Sequence, residues 1–259
     1  MNGAGPAFKN NAYFMKALHA PESVYSLRHV HSWLMLCFAA GAVNVGALLA
    51  CQRFVTHVTG SATEIGVNTA NGWLALDYTV VVLCFILGAL AASMMIDGRA
   101  GRGLSPWYTA PLAIELSLLT GIAVTGHLGL FGAFGGSIET LHDFVLLSVL
   151  GFAMGLQNAA VATSTGLVVR TTHLTGTATD LGINIARAMS ARDTADRALA
   201  RRAAWLRAGK LVAFVAGAGV MSPVAREWGY LSFLLPAVLV FIATATSFTS
   251  VALEQATAK

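Results

Sequence analysis

The sequence predicts an all-α integral membrane protein of about six transmembrane helices, built as two inverted repeats. Each repeat is expected to hold a re-entrant or broken T-H-x-T-G segment. Three observations carry this expectation. Hydrophobic residues make up 56% of the 259-residue chain and charged residues only 11%, against roughly 25% charged in soluble domains. Apolar runs lie at about 31–51, 77–96, 107–126, 141–162, 208–224 and 230–252, and several reach the ~20 residues that a helix needs to cross hydrocarbon. Finally, one polar phrase occurs twice: Thr56–Asn68 and Thr172–Asn184 agree at eight of thirteen positions, as T-H-x-T-G-x-A-T-x-x-G-x-N.

Residues 1–30 are polar, carry Lys9, Lys16 and Arg28, and show no cleavable signal peptide, so they read as a cytoplasmic N-terminal segment. A single transmembrane domain follows over 31–252, with repeat 1 at about 31–126 and repeat 2 at about 141–252. Four landmarks recur in the same order. "GAVN" ending at Asn44 matches "GLQN" ending at Asn158, and the polar phrase follows. "FILGA" (Phe85, Gly88) then matches "FVAGA" (Phe214, Gly217), and Pro111 and Pro236 open the last run of each half. The second half differs mainly by the arginine-rich stretch 187–210, and residues 253–259 form a C-terminal tail. Cys37, Cys51 and Cys84 lack C-x-x-C spacing and read as small buried hydrophobes.

Loop charge sets the orientation. With three crossings per half, the N-terminus, Arg99 and Arg102, and the arginines of 187–207 all lie inside, while the loop 127–140, without Lys or Arg, lies outside. Four crossings per half would put Arg99 and Arg102 outside, so three plus three fits the positive-inside rule better. Inverted repeats with interrupted segments mark transporters and channels. Residues 53–57, extended at about 3.3 Å each, would reach about half the hydrocarbon depth, and a half-helix over 61–72 would return.

"FVTHVTGS", "GAVN", and "GLQNA" before the second T-H-x-T-G together resemble the YoaK-like family of bacterial membrane proteins, domain of unknown function 1275. The resemblance covers nearly the whole chain and implies a multi-pass protein of the bacterial inner membrane, with no implied activity. Ser61 stands where the family motif usually has Asn, and Asn44 where it often has Asp.

The repeated phrase supplies the candidate site. Were helix to extend back through His57, then His57, Gly60, Glu64 and Asn68 would share a stripe roughly 80° wide, repeated by His173, Gly176, Asp180 and Asn184. A carboxylate at the bilayer centre costs at least ~2.5 kcal/mol, so an acid there is a functional hypothesis. Placed near a pseudo-twofold axis, Glu64 and Asp180 would bind a cation or exchange protons together. Equally, Ser61-x-x-Glu64 and Thr177-x-x-Asp180 match the capping-box pattern, which makes each acid a helix cap. Gly60, Gly66, Gly176 and Gly182 read first as close-approach positions for helices. His57 and Glu64 are seven residues apart, about 10 Å along a helix, too far to share a metal ion. No metal and no cofactor is expected. Asn44, Gln157 and Asn158 read as interhelical hydrogen-bonding groups, while Glu115 is either a relay or the partner of a buried cation.

The stretch 187–210 reads as a basic cytoplasmic helix facing anionic lipid headgroups, with Trp205 near the interface and an Asp193–Arg197 pair. Nucleic acid is not an expected partner, and a homo-oligomer is left open. The function expected is passage of a small polar or charged solute, coupled to protons or another cation, rather than catalysis. Glu64 and Asp180 would hold the cation, His57 and His173 would relay protons, Thr59 and Thr175 would supply hydroxyls, and Asn44 and Asn158 would line the approach. A membrane-embedded enzyme, or a structural or sensory protein in which the acids are only caps, are the alternatives.

Overall fold

The computed structural model describes residues 17–19, 23–136 and 141–249, the side chains of Leu141 and Asp143 aside. Among them the regular structure is helical. It comprises α1 (Leu27–Cys51), α2 (Val58–Val67), α3 (Gly72–Ala100), α4 (Ala110–His127), α5 (Leu141–Ser164), α6 (Leu174–Ser190), α7 (Thr194–Trp228) and α8 (Leu234–Ala243), the last running on as a π-helix over Thr244–Thr249. Each of the six apolar runs supplies a helix, and the two polar phrases supply α2 and α6. Pro111 and Pro236 sit in the first turns of α4 and α8, where a missing N–H costs no helical hydrogen bond.

Five helical runs are long and apolar enough to cross a membrane, the last reaching from Thr194 to Thr249. That run doubles back. Gly229 takes a positive φ of 53° after α7, a value glycine tolerates without steric cost. Gly209 and Gly46 then fix α7 along α1, because added Cβ atoms would meet Leu34 and Met221 respectively. Gly46 also abuts Phe233, while Ser247 Oγ lies 2.7 Å from Ser32 Oγ. So α7 runs beside α1 in one direction, and α8 with its π-helix returns in the other. Exposed apolar side chains such as Leu83, Ile86, Leu87 and Leu90 on α3, and Val212 and Val215 on α7, form a belt suited to a lipid bilayer.

Helix pairing crosses between the two halves of the sequence: α1 lies against α7, and α3 against α5. A Cβ on Gly41 would fall onto the carbonyl oxygen of Phe214, and one on Gly217 onto that of Phe38. The same reciprocal contact joins Gly88 to Phe152 and Gly155 to Phe85. At all four places only glycine lets the two backbones touch. The short helices stay local, with α2 on α3 and α6 on α7.

The basic stretch departs from expectation. It is not one helix: α6 ends at Ser190, the chain breaks, and α7 starts at Thr194 with Asp193 at its N-cap. Asp193 therefore stands outside the helix, and Arg197 donates to the Ala191 carbonyl at 2.7 Å instead of pairing with it. Trp205 is exposed, as expected of an interfacial side chain. At the same end of the bundle His19 is buried between His29 (ring centroids 4.5 Å apart) and Trp33 (5.0 Å). Burial first, and His29 second, push its pKa down to about 3, so this ring is neutral at physiological pH.

Candidate functional site

Both polar phrases begin by turning back on the helix before them. α1 ends at Cys51, and Gln52 adopts a left-handed conformation with φ 54°. The chain then descends until the N–H groups of Val55 and Thr56 donate to Asn44 Oδ1 at 3.2 and 3.1 Å. Asn44 lies seven residues before the helix end, so the return is about 10 Å deep at 1.5 Å per residue. In the second half Leu167 takes the positive φ, 67°, and the Thr172 N–H donates to Asn158 Oδ1 at 3.2 Å. Gln157 Nε2 fastens this segment further, donating to Thr171 Oγ1 (2.9 Å) and to the Leu36 carbonyl of α1 (3.0 Å). Asn44 and Asn158, expected to bond between helices, instead hold the segment that follows their own helix, and of the three amides it is Gln157 that reaches another helix.

The helices that follow start earlier than the capping-box pattern requires. α2 begins at Val58 and α6 at Leu174, which puts His57 and His173 at the N-caps, neither with a side-chain capping bond. Ser61 and Thr177 are thus already inside the helices, where their hydroxyls donate to the carbonyls of His57 (3.2 Å) and His173 (2.6 Å). The capping-box reading of Glu64 and Asp180 is corrected accordingly. The single stripe running through His57 fails for the same reason, because His57 and Asn68 are the two end caps of α2. Gly60 and Gly176 have a different task from helix approach: a Cβ on either would strike the imidazole of His57 or His173, folded back over the first turn. Gly66 and Gly182 meet nothing.

One cavity of about 670 Å³ joins the two phrases. The first contributes Asn44, Thr56, His57 and Thr59; the second contributes Asn158, Thr172, His173 and Thr175, with Arg170 beside them. Phe54, Phe85 and Phe214 complete the walls. The acids are elsewhere. Glu64 lines a smaller cavity of about 300 Å³ with Arg53, Tyr78 and Gly60, and its carboxylate accepts from Asn68 Nδ2 at 2.9 Å. Asp180 lines a third cavity with Asn184, Arg187 and Asp196, and meets Arg207 Nε at 3.3 Å. Asn184 Nδ2 donates to the Asp180 carbonyl at 2.6 Å. Glu64 and Asp180 thus line separate cavities, which corrects the expectation of one shared site. The physical reason is helix length: each acid stands six residues beyond the first helical residue, about 9 Å along the axis. His57 lines both the central and the Glu64 cavities.

Several functional candidates lie outside the repeated phrase. Arg170 replaces Phe54 in the alignment of the two copies, a charged residue directly ahead of T-T-H that the repeat comparison passes over. Lys210 on α7 is buried, 4% exposed, and its Nζ donates to Thr177 Oγ1 at 2.9 Å. In the first half Arg53 Nη2 pairs with Asp77 at 2.9 Å, tying the descending segment to α3; its guanidinium also lies over the Tyr78 ring, 4.9 Å from the centroid. Glu115 on α4 is fully buried, and neither carboxyl oxygen has a hydrogen-bond partner among the described residues. No cluster of three or more metal-ligating side chains occurs among the described residues.

The family model described as "Protein of unknown function (DUF1275)" matches residues 32–246, from the start of α1 to the π-helix, and the chain belongs to that family. No curated protein and no solved structure matches the chain.

Proposed function

We propose that this member of the DUF1275 family carries a small polar or charged solute across the bacterial inner membrane, as a transporter or channel rather than an enzyme. The observation that carries the proposal is the central cavity, to which both T-H-x-T-G segments bring their histidine and threonines, and α1 and α5 bring Asn44 and Asn158. Irregular backbone at membrane depth survives only when buried in protein or lining a wet cavity. Both conditions hold around Thr56 and Thr172, which are buried and line this cavity. The reciprocal glycine contacts between α1 and α7, and between α3 and α5, support two inverted three-crossing halves, and the loop charges favour a cytoplasmic N-terminus. In that arrangement the first segment dips from outside, the second from inside, and their helix N-termini approach the midplane. His57 and His173 are the proton-exchanging groups of the central cavity. Glu64 and Asp180, in flanking cavities, contact coupling ions separately from opposite sides.

Orientation is tested with single cysteines at Arg102 and Gly135 in a protein lacking Cys37, Cys51 and Cys84. Arg102→Cys should label from the cytoplasm and Gly135→Cys from outside; labelling of both from one side removes the three-plus-three arrangement. Passage is tested in proteoliposomes screened with neutral, cationic and anionic solutes. A charged thiol reagent on Thr59→Cys or Thr175→Cys should reduce whatever flux the unmodified protein supports, by at least about tenfold, since both residues line the central cavity and the reagent adds bulk and charge there. Flux that survives full modification at both positions places the path elsewhere and ends the central-cavity proposal.

A further inference from the structure

We infer that the central cavity is a binding site for a small anion, held between the N-termini of α2 and α6 and beside Arg170. The inference rests on the conduit proposal for its biological use, but the site itself is read from which groups face the space and which of their partners are already taken.

The lining is rich in unpaired donors. Asn44 and Asn158 spend their Oδ1 atoms on backbone N–H groups, which fixes the amide orientation and leaves each Nδ2 without an acceptor among the described residues. Thr56 and Thr172 are only 6% and 8% exposed, line the cavity, and their hydroxyls have no hydrogen bond among the described residues. Neither histidine cap satisfies the helix beyond it with a side-chain bond. The first-turn N–H groups of Thr59 in α2 and of Thr175 in α6, two residues that line the cavity, accordingly stay unpaired among the described residues. These donors are open to whatever occupies the cavity, and an acceptor there would satisfy them.

Charge points the same way. No carboxylate lines the cavity, and Arg170 does so with no ion-pair partner among the described residues. Each helix N-terminus counts as about half a positive charge, so two termini and one guanidinium confront a solute with roughly two positive charges. Lys210 adds another behind the first turn of α6, on Thr177. Glu64 and Asp180 stand about 9 Å down their helices, and Asp180 faces Arg207. They are too far along to cancel the helix ends. At about 670 Å³ the space admits a small anion with part of its hydration shell, and the donors replace the rest. A cation would meet repulsion on every side, and a neutral solute would leave the charge uncompensated.

The test uses the purified full-length protein with chloride, nitrate, formate and phosphate as sodium salts, beside urea, glycerol and potassium or choline at matched ionic strength. One or more anions should raise the thermal midpoint saturably, as a ligand selective for the folded state does. Arg170→Gln should weaken that anion at least tenfold, Arg170→Lys less, and the double variant Thr56→Val/Thr172→Val should weaken it without altering charge. The double variant and the wild-type titration keep the test alive if Arg170→Gln does not fold. Saturable stabilisation by an anion with no flux in proteoliposomes supports the site and overturns only the conduit proposal. Stabilisation or passage of neutral or cationic solutes alone, or anion affinity indifferent to Arg170→Gln and to the threonine pair, overturns the anion site.

Discussion

Gly217→Ala should unfold or severely loosen the protein, although it adds a single methyl group in the middle of a helix. The new Cβ would land on the Phe38 carbonyl oxygen, and backbone on both sides leaves nothing soft to yield. Helices α1 and α7 would have to separate along a buried contact. Overpacking of this kind costs about 3 kcal/mol at the upper end of its usual range, or roughly 6–12 °C in thermal midpoint for a chain of this size. Gly219→Ala, two residues along the same helix, is the matched control because its Cβ would meet nothing within contact distance. It should be neutral or slightly stabilising, since alanine favours helix by up to about 1 kcal/mol over glycine. Thermal melts of the two purified variants decide the matter. Equal midpoints would mean that the α1–α7 contact is not tight.

The same four glycines show how far the sequence could be read. "GAVN" and "GLQN", "FILGA" and "FVAGA", which hold Gly41, Gly155, Gly88 and Gly217, stand out as repeated landmarks. Their partners do not. Periodicity and small residues say that a face is closely packed, but not against which helix, so the crossed pairing of α1 with α7 and α3 with α5 had no signal in either half alone. The doubling back of the last helical run is, by contrast, marked in the sequence by the interval between the runs 208–224 and 230–252, which holds Arg226 and Glu227, and Gly229 makes the turn.

At the candidate site, repetition picks out two segments that line one cavity but not the contacts within them. Comparing the copies rewards identity, so it drew attention to Glu64 and Asp180 and away from Arg170, which aligns with Phe54 in the other copy. The helix start decided the rest. A Ser/Thr-x-x-acid pattern suggests an N-cap at Ser61 or Thr177, yet the N-caps are His57 and His173, four residues earlier. That moves the acids out of the first turn and the histidines onto it. The glycine of T-H-x-T-G then has a local cause, the room that an imidazole needs when it folds over its own helix end.

Asn44→Ala should cost more than Asn158→Ala, and Asn44→Asp should cost little. Asn44 Oδ1 accepts from two backbone N–H groups, those of Val55 and Thr56, both on buried residues. Alanine strands both donors away from water, and each orphaned donor costs about 1–3 kcal/mol, so the expected loss is about 2–6 kcal/mol. Asn158 accepts from one, the Thr172 N–H, and Gln157 still holds Thr171 after the substitution, so about half that loss is expected. Aspartate keeps an acceptor oxygen in the same place. The loss in Asn44→Ala should be felt beyond stability. Freed from α1, the descending segment no longer fixes where Thr59 and His57 meet the cavity, so Thr59→Cys should react with thiol reagents at a changed rate in the Asn44→Ala background and at the parental rate with Asn44→Asp. Thermal midpoints ranked Asn44→Asp above Asn158→Ala above Asn44→Ala, with the labelling rate following the same acceptor, are the expected result. If aspartate proves as damaging as alanine, the asparagine acts through its amide nitrogen and the descending segment is held by something other than these two bonds.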